Sequence, residues 1–166
     1  MSTYYKIIDS SHLNVDTESV DTIQAIGKRT TNTDWSAIYL QTTIEHALNY
    51  LEHKAYQTSH KYLLLIKFST DLTNILVEDN IFANEQISGE AKAKILKKQF
   101  GLCDELLLMD NISKPLMLLD NDSEYELIVP HHLFNKENFK MEILKTYIMQ
   151  TTEKFGMIFK TIKEMS

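Results

Sequence analysis

Apolar and polar positions alternate along this chain in two rhythms, one with the period of a strand and one with that of a helix. "TYYKII" (residues 3–8) is β-branched and aromatic, runs into the turn-forming "DSSHLN", and predicts a strand. "DTESVDTIQAIG" (16–27) has acids in its first turn, apolar Val20, Ile23 and Ile26, and a closing Gly27, which predicts a short helix. A polar loop, "KRTTNTDW" (28–35), leads to a strand over "SAIYLQTT" (36–43). The next stretch, 43–57, sets Ile44, Ala47, Leu48, Leu51 and Ala55 on one helical stripe. "KYLLLIKFS" (61–69) is apolar almost throughout and of strand length, as expected of a central strand covered on both faces. "NILVE" (74–78) predicts a further short strand.

Beyond it, "NEQISGEAKAKILKKQFG" (84–101) predicts a helix broken or started near Ser88-Gly89. "DELLLMD" (104–110) and "KPLMLLD" (114–120) are short apolar runs, strands or pieces of buried loop, and "EYELIVP" (124–130) predicts a strand closed by proline. After "HHLF" both periods fit: Phe139, Met141 and Ile143 at period two, Phe139, Ile143 and Tyr147 at helical spacing. The last stretch, 151–165, is expected to be an amphipathic helix. Strands and helices mixed in this order predict an α+β fold with two small packed β-sheets flanked by helices. The length, 166 residues, favours a single domain over 1–166 with enough chain to bury a core.

Charge narrows the function classes. A formal net charge of −6 argues against a general nucleic-acid or anionic-membrane surface. Arg29 is the sole arginine, so any phosphate site must rely mostly on lysine, which lacks the planar fork. One cysteine, Cys103 in an apolar setting, supplies neither a disulfide framework nor a thiolate metal set. "MSTYYKIIDS" has no secretory character, and no apolar run approaches the ~20 residues of a membrane span. The expected location is the cytoplasm, or outside the cell without a classical signal peptide, including delivery into another cell. No GxGxxG or GxxxxGK[ST] phosphate loop occurs.

Two constellations carry candidate chemistry. Glu124 and Glu126 lie two apart in a strand, so their carboxylates share a face while Leu127 and Val129 point to the other. Such a pair divides labour between orienting a nucleophile and stabilising positive charge, or else is a solvated strand edge. In "IYLQTTIEHALNYL" a strand runs straight into a helix, with Gln41, Thr42 and Thr43 at the junction. These hydroxyls cap the helix, or hold a polar ligand against its N-terminus, and Tyr39 stacks on an aromatic ligand or is core. His46 and His53, two turns apart, read as surface residues, and "PHH" (130–132) lacks a third metal ligand at the usual spacing. Asp104, Glu105 and Asp110 read as a loop rim, so no metal site is expected.

In order along the chain, "YYKI", "IYLQTTIEHALNYLE" and "EYELIVP" resemble three pieces of the ADP-ribosyltransferase fold of bacterial toxins and effectors, over about residues 3–145. The resemblance implies a mono-ADP-ribosyltransferase that takes NAD as substrate, releases nicotinamide without needing a metal, and modifies a macromolecule, with a protein acceptor expected. It assigns Glu126 as the catalytic glutamate that stabilises the oxocarbenium-like transition state, and Glu124 as its companion that prepares the acceptor. It places Gln41, Thr42 and Thr43 on the segment that shapes the nicotinamide pocket, with Tyr39 as a stacking partner. The family carries arginine or histidine on its first strand. Here Lys6 stands there, and Arg29 is the other cation available for the diphosphate. The alternatives are the same fold without transfer chemistry, or an unrelated α+β interaction module.

Overall fold

Strand β3 (Tyr62–Thr70) is an interior strand of the sheet, paired along both edges, and explains the longest apolar run of the sequence. Leu63 and Leu65 are buried on one face of the sheet, and Leu64, Ile66 and Phe68 on the other, so alternation buries both sets. The computed structural model that shows this describes residues 1–10, 37–77, 98, 101, 112–119 and 124–165. The helix expected over 16–27, Arg29, Cys103, the run 104–110 and nearly all of the helix expected over 84–101 lie outside the described residues.

The other strands are β1 (Ser2–Ser10), β2 (Ala37–Gln41), β4 (Ile75–Leu76), β5 (Leu116–Leu119), β6 (Tyr125–Pro130), β7 (Phe139–Lys154) and β8 (Met157–Glu164). They form one mixed sheet of eight strands, in the order β4-β5-β6-β2-β1-β3-β7-β8, where two sheets were expected. The expectation fails at a single seam. β1 pairs with β3 from Ser2↔Thr70 to Ser10↔Tyr62, and β2 with β6 from Ala37↔Pro130 to Gln41↔Glu126. Between β1 and β2 only Tyr5↔Gln41 pairs. Two four-stranded halves are thus joined into one α+β sheet by one cross-strand pair.

One face of the sheet is covered by the chain after β6. A 3₁₀ turn (His131–Leu133) delivers Phe134, whose ring meets Phe68 edge-on at 5.4 Å and Phe139 at 5.0 Å. Among the described residues, the helices pack on the other face. The stripe expected over 43–57 is present but divided into α1 (Ile44–Leu48) and α2 (Leu51–Gln57). The division comes from a tightened turn in which the Tyr50 N–H bonds Ala47 O at 3.1 Å. Ala47 and Ala55 are buried against Ile7, Leu63, Leu65 and Tyr147, and Ile44, Leu48 and Leu51 pack around them.

The C-terminal third corrects two readings. Period two prevails in β7, a strand of 16 residues paired with β3, with an irregularity between Leu65 and Ile66 that leaves Leu144 as the extra residue. The helix expected over 151–165 is instead β8, returning antiparallel from Lys154↔Met157 to Tyr147↔Glu164. Phe155 (φ 55) and Gly156 (φ 75) form the two-residue turn, and positive φ at both positions matches the twist of a hairpin. Phe155, Ile158, Phe159 and Ile162 mimic a helical stripe, but the "FG" turn fixes a hairpin.

Two polar clusters among the described residues fasten the end of α2. Lys160 of β8 donates to Ala55 O at 3.2 Å and Thr58 O at 3.3 Å, capping the end of α2. Just beyond α2, the Thr58 hydroxyl and the His60 ring (2.8 Å) both meet the Asp9 carboxylate of β1. Among the described residues, no helix is long and apolar enough to cross a membrane.

Candidate functional site

The seam between the two half-sheets is where the candidate residues meet. Register places Glu126 of β6 directly opposite Gln41 of β2, so both side chains leave the sheet on the helix side. Leu127 and Val129 alternate into the core beneath, as their spacing predicts. The Gln41 side chain is 4% exposed, and its Nε2 donates to Glu126 Oε2 at 3.1 Å. A half-buried carboxylate is thereby held in one orientation by a buried amide.

Lys6 reaches the seam from the other half. Its Nζ donates to the Tyr39 carbonyl at 2.9 Å, bridging β1 and β2 where the ladder has stopped. A charged donor on this carbonyl adds a cross-link between the two halves at the seam.

Above the seam, α2 and the residue before it close a cleft of about 340 Å³. Its floor is formed by Lys6, Ile7, Tyr39, Gln41 and Glu126, and its wall by Tyr50, His53, Lys54 and Gln57. The volume falls near the lower end of small-molecule sites, roughly 300–1,000 Å³. A second hollow, about 400 Å³, lies between α2 and β8, lined mainly by Leu48, Leu51, Ala55 and Ile162. Its lysine, Lys160, is already bonded to the end of α2, and Glu52 is its sole carboxylate among the described residues. The seam cleft is the better equipped for chemistry.

Of the residues expected at a site, Lys6, Tyr39, Gln41 and Glu126 line this one cleft. Thr42 and Thr43 do not line it. Thr43 caps α1, accepting from the His46 N–H at 3.1 Å, and the Thr42 hydroxyl donates to Tyr125 O at 3.1 Å, tying β2 to β6. Glu124 is exposed, one residue before β6, and is not part of the cleft lining. Arg29 lies outside the described residues.

The wall residues escaped the sequence reading. Tyr50, His53, Lys54 and Gln57 fall at i, i+3, i+4 and i+7, a polar stripe beside the apolar one, and that spacing is the signal that reveals them. His46 also departs from expectation. It is buried at 1% exposure, with its ring 5.6 Å from Tyr50, because it precedes Ala47 on the turn packed against the sheet. His131 and His132 sit in the 3₁₀ turn, and among the described residues no group of three His, Cys, Asp or Glu converges for a metal.

An oriented carboxylate, the Tyr39 residue and Lys54 therefore line one concave space, with the Lys6 ammonium bonded to Tyr39 O at its floor. Such a set stabilises a developing cation beside an anionic substituent. Compared with known proteins, the sequence matches no family model and no curated protein.

Proposed function

We propose that this protein is an NAD-dependent mono-ADP-ribosyltransferase of the ADP-ribosyltransferase fold, acting on a macromolecule in the manner of a bacterial toxin or effector. The observation that carries this reading is the convergence of Lys6, Tyr39, Gln41 and Glu126 on the cleft over the β1–β2 seam. These residues come from three strands far apart in sequence. The sequence calls for Glu126, Thr42 and either Lys6 or Arg29 in one cleft; Glu126 and Lys6 line this one, Thr42 does not, and Arg29 lies outside the described residues.

The chemistry follows from that arrangement. NAD enters with its nicotinamide ribose over Glu126 and its nicotinamide against Tyr39. The bond between C1′ and the nicotinamide nitrogen breaks, its electron pair leaves with nicotinamide, and positive charge develops on the ribose. The Glu126 carboxylate, fixed by Gln41 at 3.1 Å, faces that charge without having to reorganise. An acceptor nucleophile then bonds C1′, and its proton passes to Glu124 at the exposed mouth of β6. At about 340 Å³ the cleft takes the nicotinamide-ribose end of NAD and leaves the adenylate end toward solvent.

A second reading, binding without transfer, is favoured by the position of Glu124 outside the cleft lining. Chromatographic measurement of nicotinamide released from NAD in the presence of a cell lysate separates the two. Transfer predicts release that falls at least about 100-fold in Glu126→Gln. NAD binding with equal, background release by both proteins supports the second reading.

A further inference from the structure

The wall of the seam cleft has a chemical character of its own. Tyr50, His53, Lys54 and Gln57 project along one stripe about 10 Å long, and every one of them carries an N–H or O–H donor. Among the described residues lining the cleft, the sole carboxylate is Glu126, at the opposite side and bonded to Gln41. Lys54 is half-buried in the wall, and among the described residues no carboxylate lies within ion-pair distance of its ammonium. In a chain of net charge −6, a donor-rich wall with a half-buried lysine is a local reversal of sign.

The geometry points to this wall as the diphosphate site of the cleft, with Lys54 as the cation that contacts the phosphoryl oxygens and His53 and Gln57 as flanking donors. The inference rests on the proposed use of NAD for the identity of its ligand; the wall itself offers a cation and neutral donors to an anionic group. Lys6 then has a different task. Its bond to Tyr39 O holds the floor of the cleft together at the seam. The wall and Glu126 line the same cleft, so a diphosphate attached to a ribose over that carboxylate falls among the wall's donors.

Calorimetric titration of the full chain with ADP, with inorganic pyrophosphate and with NAD tests this. ADP and pyrophosphate should bind the wild type, more weakly as salt is raised. Lys54→Gln should weaken both about tenfold or more with an unchanged melting temperature, and Lys54→Arg should stay near the wild type. Equal ADP affinity in the wild type and Lys54→Gln would overturn the assignment, as would absence of ADP and pyrophosphate binding to the wild type. Lys54-dependent binding of ADP without binding of NAD would uphold the diphosphate wall and sink the NAD reading, so the two stand or fall separately.

Discussion

Gln41 and Glu126 face each other across β2 and β6, and the Gln41 amide donates to the Glu126 carboxylate at 3.1 Å. They are 85 residues apart in sequence, and the contact depends wholly on register. A slip of one residue sends Glu126 into the apolar face occupied by Leu127. Replacing Gln41 by Leu keeps the volume and removes the donor. Transfer activity should fall about 10- to 100-fold, with a stability loss of about 1 kcal/mol in urea unfolding. Full activity in Gln41→Leu contradicts the orienting role.

Lys6 gives a prediction about the seam. If its bond to Tyr39 O cross-links the two halves at the seam, Lys6→Met should lower stability by about 1 kcal/mol, discounted for partial exposure. Amide exchange should quicken in Ile38–Gln41 before it does in β3, since β2 is attached to β1 by only the Tyr5↔Gln41 pair. Uniform acceleration across both strands would show that the seam is no weaker than the rest of the sheet.

The end of β1 predicts a pH dependence. Burial pushes the Asp9 carboxyl up, but the Thr58 hydroxyl, its own backbone N–H and His60 together hold it below the ordinary 3.8. A carboxyl depressed on folding contributes stability above its unfolded value, and that contribution is lost as pH falls through the folded value. The melting temperature of the wild type should therefore drop more steeply below about pH 4 than that of Asp9→Asn. Parallel acid profiles would remove Asp9 from the account.

At the tip of the β7–β8 hairpin, Phe155 holds φ 55 while 92% exposed, so it bears left-handed strain and buries little in return. Phe155→Asn should raise stability by about 0.5–1 kcal/mol in denaturant unfolding. A loss of stability would mean that the ring contributes packing its exposure does not show.

These sites also mark how much of the fold is legible in the sequence. Tyr62–Thr70 betrays its doubly covered position because its run Leu63–Ile66 carries no polar residue, and Lys67, Ser69 and Thr70 come only in its second half. Gln41 and Glu126 were each visible at the end of a strand, but their pairing was not, because register is a long-range property. The polar wall of α2 was hidden by its own ordinariness, since Tyr50, His53, Lys54 and Gln57 look like any solvated helix face until a seam lies opposite. The β8 strand was hidden by Phe155, Ile158 and Ile162, whose spacing satisfies a helix while "FG" dictates a turn. Burial of His46 follows from the packing of α1 against β1 and β2, a tertiary property.

The central claim is that Glu126 drives transfer of ADP-ribose from NAD to a macromolecule. Its most direct test is a pair of incubations with cell lysate, one with NAD labelled in the adenylate and one with NAD labelled in the nicotinamide ring. The account predicts that adenylate label becomes bound to macromolecules and ring label appears as nicotinamide. Both signals should be lost in Glu126→Gln, with circular dichroism and melting temperature unchanged. Equal incorporation by wild type and Glu126→Gln, or no incorporation by either, would contradict it.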